Sequence, residues 1–215
     1  MTTTSFFLAL IGFVVGLVIY RFAGYYAKSL KASNGSLRHS PSIELLFGLL
    51  CAFTTFLESH FIQDKRWAFI ALVLVWGLLL LLLMDLKTWL LPDLLTLPLM
   101  WLGLIIHDVG LGGVSLHDAL WGAILGYVLP WTLKQGYFLV TKRQGMGHGD
   151  FKLLAALGAW LGWQALPFIL LLSSIMGLVV GLAIMWRQGK TITMALPFGP
   201  FLAIAGYLIL LKQGH

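Results

Sequence analysis

Apolar residues gather into eight runs, at about 5–22, 43–58, 67–84, 92–106, 117–134, 151–163, 165–186 and 197–211, with short polar segments between them. Stretches such as Leu78–Met84 are unbroken, which excludes the period-two alternation of a membrane β-barrel. Most runs approach the roughly 20 residues that an α-helix needs to cross a hydrocarbon core of ~30 Å. The pattern predicts an all-α, polytopic integral membrane protein with about eight transmembrane helices. It reads as a single membrane domain over 1–215, with a short loop at about 24–42 and a core region at about 43–211. The sixth run is short for a full crossing; it is expected to begin near the interface and to share a tight turn around Gly162 with the seventh. The longest polar stretch, Lys28 to Ser42, is too short to fold alone. The opening Met1-Thr2-Thr3-Thr4-Ser5-Phe6 lacks a basic n-region, so the first run is expected to be a retained span.

Composition agrees: 60% of residues are hydrophobic and 10% charged, against about 25% charged in soluble domains. Charge adds the orientation. With the loop after the first span in the cytoplasm, that side receives Arg21, Lys28, Lys31, Arg38, Lys87, Lys134, Lys142, Arg143, Lys152, Arg187 and Lys190. The other side keeps Lys65, Arg66 and Lys212. That asymmetry follows from the resistance of basic loops to translocation, so the net charge of +6 points to topology and not to nucleic acid. Cys51 is the only cysteine and lies inside an apolar run, which rules out an internal disulfide or a cysteine-cluster metal site.

Only eight carboxylate side chains are present, and two end apolar or glycine-rich runs on the predicted cytoplasmic side. Asp85 follows Trp76–Met84, and Asp150 follows Gly145-Met146-Gly147-His148-Gly149. An acid in such a place is costly and marks a functional site. Asp85 lies at a helix C-terminus, where the dipole disfavours negative charge, so it has no structural reason to be there. Asp93, just after Pro92, falls in a first helical turn that favours an acid. The glycines allow close backbone approach and can present Asp150 beside an extended substrate. A phosphate loop does not fit, because no Lys-Ser/Thr follows and no strand precedes. A simple inter-helix turn capped by Asp150 is the plain alternative. Pro197 and Gly199, in Ala195-Leu196-Pro197-Phe198-Gly199-Pro200, interrupt backbone hydrogen bonding at the start of the last run and can shape a groove. His60, His107 and His117, with Asp64, Asp108 and Asp118, fall on the opposite side as solvated loop residues.

Two carboxylates a few ångströms apart cannot both ionise readily, so one keeps a proton while the other stays charged. Such a pair activates water on a peptide carbonyl and protonates its oxygen, with no metal and no cofactor. A proton or ion carrier is the rival of a different class, but carriers place their acids near the midplane of repeated halves, and no repeat is visible.

These motifs resemble the type IV prepilin peptidases, membrane aspartic proteases of the Gly-x-Gly-Asp type. The likeness rests on Asp85, on Leu91-Pro92-Asp93-Leu94-Leu95-Thr96-Leu97-Pro98, on Gly147-His148-Gly149-Asp150-Phe151-Lys152-Leu153-Leu154-Ala155-Ala156-Leu157-Gly158 and on Pro197-Phe198-Gly199-Pro200-Phe201. It runs from about Pro41 to near Leu211. The resemblance implies Asp85 and Asp150 as catalytic pair, with Gly147, Gly149, Asp93, Lys152, Pro197 and Gly199 as substrate-loop and supporting residues. It further implies removal of the basic leader of type IV prepilins or type II secretion pseudopilins, at the cytoplasmic face of a bacterial inner membrane. The partners are then that substrate and the lipid bilayer.

Many members carry a large loop with two Cys-x-x-Cys pairs and also N-methylate the new terminus. Here the loop has no cysteine, and the first span keeps Gly16-Leu17-Val18-Ile19-Tyr20-Arg21 without the usual Gly-Ser-Phe-Leu-Asn before it. N-methyltransferase activity is thereby placed in doubt, and zinc binding of that kind is excluded. The presenilin-like proteases share Gly-x-Gly-Asp and Ala-Leu-Pro, but their partner aspartate follows a tyrosine inside a span, whereas Asp85 follows Met84.

Overall fold

A computed structural model describes residues 2–29, 41–142, 147–188 and 197–213. Among these residues the chain is entirely helical: α1 (Thr2–Ser29), α2 (Pro41–Phe61), α3 (Lys65–Thr88), α4 (Asp93–Asp108), α5 (Leu116–Thr141), α6 (His148–Leu161), a 3-10 turn (Trp163–Ala165), α7 (Leu166–Gln188) and α8 (Gly199–Gln213). Each of the eight predicted runs lies within or largely overlaps one helix. Among the described residues, four helical segments are long and apolar enough to cross a membrane: Phe6–Ser29, Pro41–Phe61, Lys65–Thr88 and Trp163–Arg187. Gly199–Gln213 is a shorter apolar helix. Exposed Phe168, Leu171, Leu178 and Val179 on α7 are suited to contact lipid.

Most helices outrun the apolar stretches at one end or both, although α4, α7 and α8 begin slightly later and α6 ends slightly earlier than predicted. α1 continues to Ser29 and α5 to Thr141; α3 runs through Asp85 to Thr88, and α6 begins at His148. Hydropathy marks where a helix is apolar, whereas the hydrogen-bond ladder continues until a residue caps it. Asp64 caps α3 by accepting from Arg66 N–H at 2.9 Å, and Ser115 caps α5 by accepting from Asp118 N–H at 3.1 Å. The turn predicted around Gly162 is present, with Gly162 at φ 81.

The helices fall into two compact units, Met1–Leu90 with Leu210–His215, and Leu91–Ile209. In the first, α1 and α2 approach closely: a Cβ at Gly16 would lie 2.8 Å from Cys51 Cβ. Arg21 on α1 is held by Glu44 on α2 at 2.6 Å, and Trp76 on α3 donates its indole N–H to Thr55 Oγ1 at 3.3 Å.

In the second unit α6 is the core, buried from Asp150 to Leu161 except for Lys152 at its side. As expected, α6 is short, with 14 residues, and it is packed within protein along most of its length. Gly122 of α5 and Gly158 of α6 meet backbone to backbone, and a Cβ on either would fall within 2.2 Å of the other's carbonyl oxygen. Gly126 gives the same access to Leu154, and Gly103 of α4 seats the Trp160 ring. Trp160 Nε1 donates to the Leu99 carbonyl at 2.7 Å. Small residues permit such approach, and apolar helices in lipid need it because no hydrophobic drive holds them together.

Candidate active site

Asp85 occupies the last turn of α3 and is buried, 5% exposed. Its carbonyl accepts the N–H of Trp89 at 2.9 Å, and Trp89 takes a left-handed conformation, φ 58, that is uncommon without glycine. Thr88 donates its hydroxyl to the Met84 carbonyl at 2.8 Å and accepts Leu90 N–H at 3.3 Å. The helix therefore stops at a defined point beyond Asp85. Lys87 sends its ammonium over the Tyr20 ring of α1, 4.1 Å from the centroid.

Asp150 stands in the first turn of α6 and is buried, 9% exposed. Gly147, and not Asp150, takes the N-cap position. The Asp150 side chain folds back so that a Cβ on Gly147 would come 3.3 Å from its Oδ2. A Cβ on Gly149 would lie 2.8 Å from Leu91 Cβ, which sets the start of α6 against the segment leading into α4. Gly147 and Gly149 therefore serve as helix start and close-approach element. Gly145 and Met146 of that run lie outside the described residues.

Lys152 of α6 pairs with Asp93 in the first turn of α4 at 2.5 Å, joining residues 59 apart in sequence. The Lys134 ammonium lies 3.2 Å from His148 Nδ1 and 5.6 Å from the Phe151 ring centroid. Lys134 read in sequence only as a topological charge. Its partner is fourteen residues away across the α5–α6 junction, and no local pattern announces it. The Gly122–Gly126 spacing, by contrast, is a signal in the sequence that could have revealed close helix packing.

Pro197 precedes α8, and Gly199 is its buried first residue. Phe198 carbonyl accepts Phe201 N–H at 3.1 Å and Leu202 N–H at 3.2 Å. The adjoining Ala195 and Leu196 lie outside the described residues. Asp85 belongs to the first unit; Asp150, Asp93, Lys152, Gly147, Gly149, Pro197 and Gly199 belong to the second.

Asp85 and Asp150 are each buried at a helix end, each within its own unit. The half-exposed Asp93–Lys152 pair holds the start of α6 against α4. An exposed pair contributes at most about 1 kcal/mol, so Asp93→Asn should slow any reaction at Asp150 by no more than about tenfold. Initial rates for wild type and variant check this, and complete loss would move Asp93 into the catalytic set.

Residues 72–182 match the model of the "Type IV leader peptidase family". The chain is 49% identical over 172 residues to a protein of Stutzerimonas stutzeri named "Prepilin leader peptidase/N-methyltransferase", covering 80% of this chain and 57% of that one. A Pseudomonas aeruginosa protein of the same name is 45% identical over 198 residues, 92% of this chain and 66% of its own length. One from Escherichia coli is 48% identical over 124 residues, 58% of this chain and 54% of its own. The chain thus spans about half to two thirds of the length of these relatives. No solved structure matches.

Proposed function

The chain belongs to the type IV leader peptidase family, and on that footing we propose that it is an aspartic endopeptidase that removes the leader of type IV prepilins or type II secretion pseudopilins. The observation that carries this is the placement of Asp85 and Asp150, two buried acids at helix ends, both inside the matched stretch 72–182. The protein is a multi-pass membrane protein; the excess of basic residues on one side supports a cytoplasmic membrane location with both aspartates facing the cytoplasm.

In this mechanism one carboxylate takes a proton from water as the water oxygen bonds to the scissile carbonyl carbon. The other carboxyl donates its proton to the carbonyl oxygen, giving a neutral tetrahedral intermediate. Collapse breaks the C–N bond; the amine leaves with a proton from the first group, and the second regains its proton. Work at the membrane surface suits a substrate whose cut precedes a long apolar helix, since the helix can stay in lipid while the leader reaches the acids.

The test is co-expression with a type IV prepilin and observation of the size shift on leader loss; an uncut prepilin in the presence of inserted protein would overturn the proposal. Because the chemistry invokes neither thiol nor metal, Cys51→Ser should cleave at the wild-type rate, and chelators should change that rate little. Cleavage lost on chelation and restored by zinc would favour a histidine-based metalloprotease.

The relatives' names also carry N-methyltransferase. The doubt raised by the missing cysteine quartet is therefore not supported, and methyl transfer is a second activity to assay with S-adenosylmethionine, read as a methyl-sized mass gain on the product.

A further inference from the structure

At the end of α3 remote from Asp85, the first unit contains a carboxyl group with no hydrogen-bond partner. Glu58, in the last turn of α2, is fully buried, and neither Oε1 nor Oε2 is satisfied. It lines a cavity of about 270 Å³ together with Lys65 and the apolar side chains of Leu8, Phe69 and Leu72. The neighbouring hydroxyls are committed: Thr55 donates to the Cys51 carbonyl at 2.8 Å, and Ser59 donates to the Phe56 carbonyl at 2.8 Å. Each hydroxyl has a single proton to give, so neither can serve Glu58. Leaving a buried carboxyl unpaired is expensive, and the cavity beside it is where a donor would enter.

The arrangement of charge indicates what that donor is. Lys65, exposed at the start of α3, spends two N–H groups on the Ser59 and Ile62 carbonyls, at 2.8 and 3.4 Å. An ammonium has three donors, so one remains for an anion at the cavity mouth. Lining the same cavity is the Glu58 carboxyl, and beside it runs an apolar face with Phe69 67% and Val73 43% exposed. Both α2 and α3 are long enough to span, so their joined ends fall at headgroup depth.

We propose that this cavity holds the headgroup of an aminophospholipid of the phosphatidylethanolamine class, with its primary ammonium on Glu58, its phosphate on Lys65 and an acyl chain along Phe69 and Val73. Acyl chain, phosphate and ammonium each meet a surface of matching chemistry: apolar side chains, the Lys65 ammonium and the Glu58 carboxyl. A primary ammonium brings three N–H donors to the two orphan oxygens, and a trimethylammonium brings none.

The experiment adds phosphatidylethanolamine, phosphatidylcholine or phosphatidylglycerol to the purified full chain in detergent and counts retained lipid by native mass spectrometry. Wild type should keep one phosphatidylethanolamine at least about tenfold better than either other lipid, as expected of charge-assisted hydrogen bonds. Glu58→Gln should erase that preference, and Lys65→Met should weaken retention of phosphatidylethanolamine. Equal retention of all three lipids by wild type, or an unchanged preference in Glu58→Gln, would overturn the proposal. If Glu58→Gln fails to fold, the lipid series on wild type and Lys65→Met decides. The readout is bound lipid and not cleavage, so its outcome is independent of the peptidase proposal.

Discussion

Asp85→Asn and Asp150→Asn should each abolish leader cleavage while the protein still inserts in the membrane. Asparagine keeps the size and much of the hydrogen bonding of aspartate but can neither carry the negative charge nor exchange the proton. Positioned acid or base groups contribute roughly 10²–10⁴-fold each, so a loss of that order or more is expected from either change. In the proposed mechanism the two acids act as a unit, and the double variant should therefore be scarcely slower than either single one. The measurement is the rate of size shift of a co-expressed or purified prepilin. Full cleavage by one single variant would remove that aspartate from the mechanism. Losses that multiply in the double variant would show two independent roles and not a shared proton.

Gly122→Ala should be the most damaging small substitution away from those acids. The added methyl carbon would meet the Gly158 carbonyl oxygen at 2.1 Å, and Gly158→Ala would meet Gly122 in the same way. Ordinary overpacking costs about 1–3 kcal/mol because side chains yield; here backbone opposes backbone, and α5 must move away from α6. Since α6 carries Asp150, activity should fall together with the thermal midpoint in detergent. Gly136→Ala is the control: the added carbon meets nothing within 4 Å. Alanine is the better helix former by up to about 1 kcal/mol, so that midpoint should hold or rise. An unchanged midpoint in Gly122→Ala would show that the two helices are not in contact as described.

Much of the candidate site was legible because its signals are local. An acid after nine residues from Trp76 to Met84, and another after a glycine run, are unusual enough in an apolar chain to be noticed singly. Asp93 was legible in the same way, as an acid after a proline in a first turn. Lys134 beside His148, and Lys152 holding Asp93, were not: a surface lysine reads the same whether it faces solvent or a partner on another helix. Asp150 stands in the first turn of α6 just beyond the Gly147 N-cap, where its charge suits the helix N-terminus although it does not itself cap the helix.

The sequence by itself determined the class, the number of helices and their order, because apolar length and the cost of an unsatisfied backbone in lipid leave few alternatives to helices. It also determined which acids stand at helix ends. Only the tertiary structure decided which apolar surface meets protein and which meets lipid. α6 and α7 are both apolar, yet α6 is almost wholly buried and α7 is largely exposed. Lipid tails and leucine side chains are alike in polarity, so hydropathy cannot separate them; close approach at Gly122 and Gly158, and the indole of Trp160 on the Leu99 carbonyl, do. The same holds for Glu58, one more acid near a helix end in sequence, which only the packing of α2 against α3 leaves buried and without a partner.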